Sequence, residues 1–152
     1  MRLAGRQGTR LELAIVGYQR PDERRDPWES NTLLVEVKLV TPDGSWDVID
    51  PCLTTWEAAH LIQWFATLGA RPDLLGGRIS EPNVSLVARS HPGAPNNVAI
   101  HATVELETRP PWLGSGHLTV ELDVDRAQLT AAAKSLRRDL AAYPQRGDDP
   151  TL

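Results

Sequence analysis

Four histidines, one cysteine and a scatter of close-set carboxylates are the residues of this chain that could do chemistry. The histidines are His60, His91, His101 and His117. No two stand four apart on a helix and no cysteine accompanies them, so the spacings that hold zinc are missing. His101, Glu105 and Glu107 alternate along one strand and could gather as an imidazole–carboxylate cluster. The commoner use of that spacing is the solvated outer face of a sheet, so no metal is expected. Cys52 sits between Pro51 and Leu53, just ahead of a helix start, where a thiol pKa can fall. A small buried hydrophobe is the simpler reading. There is no G-x-S-x-G elbow, and Gly76-Gly77 lacks the lysine of a phosphate-cradling loop, so no cofactor is expected either. Asp22 with Asp26, or Glu105 with Glu121, could be drawn as acid–base pairs. Such work needs an environment that drives two pKa values apart, and an open face does not supply one.

The same carboxylates suit binding better than catalysis. Asp22, Glu23, Asp26 and Glu29 cluster around Trp28 in one loop, and Glu105, Glu107, Glu121 and Asp123 belong to two strands. These nine residues are the candidate partner-binding surface. The net charge is −4, with the acidic excess concentrated in residues 31–125 and both ends mildly basic. An acidic body repels phosphate backbones and attracts a basic protein. Arg20, Arg24, Arg25 and Trp28 have the composition of a nucleic-acid contact, but the interleaved acids cancel their field, so no nucleic acid is expected. Trp28 brings the aromatic area typical of binding hot spots.

The elements that carry these residues follow from periodicity. Leu11, Leu13 and Ile15 alternate with Glu12, Ala14 and Val16 as a half-buried strand ending near Tyr18. Residues 19–30 read as a long loop. Asn31–Val40 is a second strand; Pro42-Asp43-Gly44 turns it into a third, which Pro51 should stop. Thr54 and Glu57 form a capping box for a helix whose stripe is Ala58, Leu61, Ile62, Phe65 and Leu68, with Gly69 as its C-terminal cap. Three further strands follow at 84–89, 98–107 and 118–124, and then a helix capped by Asp125 with Gln128 completing a second box. The expectation is α+β: one meander-like antiparallel sheet of about six strands with two helices, in the order βββαβββα. Residues 1–152 read as a single domain, with loose tails at 1–9 and 145–152 and no internal repeat. A lone cysteine, no apolar leader behind the N-terminal arginines and no membrane-length apolar run lead to a cytoplasmic expectation.

One stretch of this order is distinctive as a family pattern. A strand ends in G-Y-Q-x-P (Gly17, Tyr18, Pro21) with Asp22 following, and N-T-L-L-V-E-V begins at Asn31 and carries Leu33 and Val35. Then come P-C-L-T-T-W-E (Pro51, Leu53, Thr54, Thr55, Glu57) with Leu61 and Trp64, E-P-N (Glu81, Pro82, Asn83) and a P-P-W turn. The pattern covers most of residues 11–125 and resembles the WapI family of immunity proteins and related actinobacterial proteins. The resemblance implies a protein that binds a cognate contact-dependent or secreted toxin, there a tRNA-cleaving nuclease domain, and blocks it by occlusion without chemistry. The partner would then be a basic toxin domain, drawn to the acidic body by electrostatic steering. A protein-binding or scaffolding module unrelated to toxins is the alternative, and a hydrolase using Asp22 or His101 a third.

Overall fold

Period-two strands and period-3.6 helices assemble into the expected α+β class, and the strands divide into two sheets. A computed structural model describes residues 1–72, 78–80, 83–91 and 93–152, with backbone alone for 78–80. The first sheet is an antiparallel meander of β1 (Arg2–Ala4), β2 (Arg10–Tyr18), β3 (Thr32–Thr41) and β4 (Gly44–Thr54). A short helix, α1 (Pro27–Asn31), interrupts the β2–β3 connection, and α2 (Thr55–Ala70) follows β4. The second sheet is another four-stranded meander, β5 (Arg78–Ser80), β6 (Val84–Ser90), β7 (Asn97–Glu105) and β8 (His117–Asp125), followed by α3 (Arg126–Ala141). Each half is thus four antiparallel strands and then a helix of 16 residues. The repetition is architectural and leaves no repeat in the sequence.

Alternation decides which faces meet. Leu11, Leu13 and Ile15 of β2 and Leu33, Val35, Val37 and Leu39 of β3 are buried, and so are Val98, Ile100, Val104, Leu122 and Val124 of the second sheet. With Leu61, Phe65 and Leu68 of α2 and Leu129 and Leu136 of α3 they form one apolar cluster through both sheets. Fully burying a side chain such as Phe65 stabilises the fold by about 1.5–3 kcal/mol. Cys52 is part of this core and borders a void of about 10 Å³ with Leu13, Val35, Leu61 and Leu86, which matches its reading as a small hydrophobe.

Several boundaries differ from the sequence expectation, each for a tertiary reason. The strand expected to stop at Pro51 continues to Thr54. Register shifts between Leu33 and Leu34, so Leu34 opposes Pro51 and Leu33 opposes Leu53 with Cys52 bulged out. β4 is an edge strand, where a missing amide is tolerated. Residues 1–9, expected to be loose, contain β1: Leu3 opposes Leu11 and is fully buried. Gln128 does not complete a capping box. Asp125 does accept from the Gln128 amide at 2.8 Å. The Gln128 side chain, however, accepts from Ala4 N at 2.8 Å and donates to Ala4 O at 3.2 Å. It therefore covers the open edge of β1, which would otherwise invite another strand. Gly69 lies within α2 and not beyond it. A Cβ there would come within 2.8 Å of Thr130 Oγ1, so the glycine permits close approach of α3, and its carbonyl accepts from Arg126 Nε at 2.9 Å. Gly76, Gly77, Glu81 and Pro82 lie outside the described residues.

Candidate partner-binding surfaces

The first group of candidate residues sits on the β2–β3 connection, and two of its four carboxylates are turned to the loop's own backbone. Glu23 Oε1 accepts from the amides of Arg24 at 2.9 Å, Arg25 at 2.6 Å and Asp26 at 3.3 Å. Those amides, Arg25 first, hold its carboxyl below the ordinary range. Asp26 caps α1 by accepting from Glu29 N at 2.9 Å. Glu29 bonds Arg20 at 2.7 Å. Asp22 is exposed and forms no hydrogen bond or ion pair among the described residues. Trp28 keeps 47% of its surface exposed and rests edge-on against Trp56, ring centroids 5.1 Å apart.

What fixes this connection in place is a pair of residues with no charged partner among the described residues. Asn31 is completely buried. Its Nδ2 donates to Pro27 O and to Arg146 O, both at 2.8 Å, and its Oδ1 accepts from Thr55 Oγ1 and from Arg146 N, both at 2.8 Å. One amide side chain therefore joins α1, the start of α2 and the segment after α3. The Arg146 guanidinium lies 3.4 Å above the Tyr18 ring and points one nitrogen at the carbonyls of Arg20, Glu23 and Ser30. Tyr18 donates to Pro144 O, and Tyr143 donates to Val16 O at 2.9 Å. Residues 143–146, of which 145 and 146 belong to the tail expected to be loose, are a clasp on this loop. Between α1 and that clasp lies a cleft of about 420 Å³ that Arg24, Arg25 and Arg146 help to line.

The second group lies on the outer face of the second sheet. Rows across the ladder pair Glu105 with His117, Thr103 with Thr119, His101 with Glu121, and Ala99 with Asp123. His101 Nε2 stands 3.6 Å from Glu121, and the Thr103 and Thr119 hydroxyls are 2.7 Å apart. Glu107 is exposed but is not on the strand: β7 ends at Glu105, and Leu106–Thr108 form a 3₁₀ turn entered with Leu106 at φ +51°. That geometry separates Glu107 from the strand face on which His101 and Glu105 lie.

Asp123 behaves differently from its neighbours. Its side chain is only 9% exposed and meets Arg6 at 2.8 Å, His91 at 3.4 Å and Asn97 Nδ2 at 3.1 Å. It bridges the β1–β2 turn to the β6–β7 hairpin. Among the described residues, no hydrogen bond, ion pair or ring contact joins the loop group to the sheet group. No described group of three or more His, Cys, Asp or Glu is placed to hold a metal ion.

One carboxylate outside both groups is perturbed. Asp50 is pushed above its ordinary pKa, first by burial and also by the nearby Glu107 charge, while a hydrogen bond from Asn83 opposes the shift. Asn83 was legible only as part of the E-P-N pattern; it ties β4 of the first sheet to the second.

The sequence model of the WapI-like immunity proteins matches residues 2–144. The chain belongs to the WapI-like immunity protein family. The match takes in both sheets, α1, α2, α3 and the first residues of the clasp, so membership covers both halves and not one motif. Comparison with curated proteins and with solved structures finds no match. No described helix is long and apolar enough to cross a membrane.

Proposed function

We propose that this WapI-like protein protects a cell by binding the active domain of a cognate toxin and covering it, without catalysing a reaction. The match of the immunity family over residues 2–144 carries this reading. The partner we favour is a basic domain, and a nuclease domain would have that character because it must approach phosphate. Glu105, Glu107 and Glu121 support it: no arginine or lysine among the described residues pairs with them, so their charge is available to a partner. Asp22 and Trp28 are the exposed remainder of the loop group and would extend the contact. Carboxylates arranged this way steer a basic partner and raise its association rate.

The test is co-expression with a candidate toxin gene, sought directly beside this one. Growth should be restored, and an inactivated toxin domain should co-elute with this protein. Reversing Glu105, Glu107 and Glu121 to lysine should slow association by about tenfold or more at low salt. No rescue together with no complex at micromolar concentrations would overturn the reading. A scaffolding role would then be the better account.

A further inference from the structure

The cleft between α1 and the clasp brings three guanidinium groups together, and no carboxylate among the described residues is paired to any of them. Arg24 and Arg25 reach it from the loop and Arg146 from the C-terminal segment; Ser30, Gly147 and Asp148 complete much of its wall. We propose that this cleft is a binding site for an oxyanion, a phosphate or carboxylate group presented by a ligand that fits about 420 Å³. It is independent of the toxin-binding reading.

The sequence pattern alone argues for cancelled charge here, because Asp22, Glu23, Asp26 and Glu29 interleave with the arginines. The folded loop keeps those charges but gives three of the four acids partners other than the guanidiniums of Arg24, Arg25 and Arg146. Glu23 is occupied by three backbone amides, Asp26 by the start of α1 and Glu29 by Arg20. Arg24 Nη1 donates to the carbonyls of Pro21 and Glu23, both at 2.6 Å, and Arg146 Nη1 to three carbonyls. These neutral acceptors orient the guanidiniums without neutralising them. The Arg25 guanidinium has no hydrogen bond or ion pair among the described residues. Among the described lining residues Asp148 is the one acid, which leaves that lining with a net positive charge. Planar guanidinium forks match two oxygens of a carboxylate or phosphate at once, and Arg146, held against Tyr18, is already in place. Little ordering is needed when the anion arrives.

The full chain, isotopically labelled, should be titrated with inorganic phosphate and separately with succinate, each against sodium chloride at matched ionic strength. The expected result is saturable shifts of amides in 24–30 and 146–148 with at least one of the two anions. The one that saturates at lower concentration identifies the group. Arg25→Ala should weaken binding by about tenfold, the loss of a charge-assisted contact. Arg137→Ala removes the same charge from the exposed surface of α3 and should change binding less than about twofold. Arg146→Lys keeps the cation and loses the fork, so it should weaken binding while the fold is retained. The proposal fails if neither anion gives saturable shifts beyond chloride below about 10 mM. It also fails if Arg25→Ala and Arg137→Ala weaken binding equally.

Discussion

The β2–β3 connection and the outer face of the second sheet carry the same kinds of residue and use them in opposite ways. In the connection, Glu23 and Asp26 are turned inward onto amides and the arginines face outward. On the sheet, Glu105 and Glu121 face outward beside imidazoles. The cause is where the backbone donors are. A loop and the first turn of a helix leave amides without partners, and a nearby carboxylate is the best acceptor for them. In a ladder the amides are already bonded to the next strand, so a strand carboxylate finds only side chains or water. Counting charges along the chain cannot tell these cases apart.

Removing the centre of the clasp should have the largest effect on this contrast. Asn31→Ala leaves buried groups on three segments without partners and should destabilise the protein by about 3 kcal/mol, read from the denaturation midpoint. Its amide shifts should spread through residues 18–31 and 143–147 and leave β7 and β8 largely unchanged. Shifts of equal size on the sheet face would show that the two regions are not separate.

Asp123 is the exception on the sheet, a strand carboxylate that is nearly buried, and it should behave like a structural residue. Asp123→Ala should cost about 1–2 kcal/mol, since Arg6, His91 and Asn97 all lose a partner. An unchanged midpoint would place it with its exposed neighbours.

Glu23 tests the loop through pH. Its folded carboxyl is held below the ordinary range, so its contribution is present above the unfolded pKa and is lost as pH falls through the lowered one. Glu23→Gln should therefore be less stable than the parent at neutral pH, with the gap closing in acid. A gap independent of pH would mean the amides do not select the charged form. Asp50 has the opposite sign: with its pKa raised, its protonated form favours folding, and that contribution fades as pH rises through the raised value.

Glu121→Gln should have the smallest effect on the fold, within about 0.5 kcal/mol, because its 3.6 Å approach to His101 is an exposed pair. If the proposed function is right, the same change should still slow association with the toxin domain. A large loss of stability would make Glu121 a fold-builder like Asp123.

Much of the molecule was legible before folding. The six central strands, the Thr54–Glu57 box and the apolar stripes of α2 and α3 follow from local rules. The family was legible in G-Y-Q-x-P, N-T-L-L-V-E-V and P-C-L-T-T-W-E, now matched over residues 2–144. Asn31 belonged to that pattern, yet its role was hidden because its partner Arg146 is 115 positions away. β1 was missed because three residues are too few to show a period, and its burial depends on Leu11 across the ladder. Glu107 was misplaced because a continuing polar alternation conceals a turn.

The sequence by itself determined the class of fold, the order of the main elements and the family, because periodicity, capping and turn chemistry act between residues close along the chain. The tertiary structure alone decided that the strands form two sheets and that Gly69 serves a helix contact. It also decided that Asp123 is a bridge and that Arg24, Arg25 and Arg146 share a cleft. Each of those depends on groups distant in sequence competing for the same donors, acceptors and space, and that competition is settled only when the chain has folded.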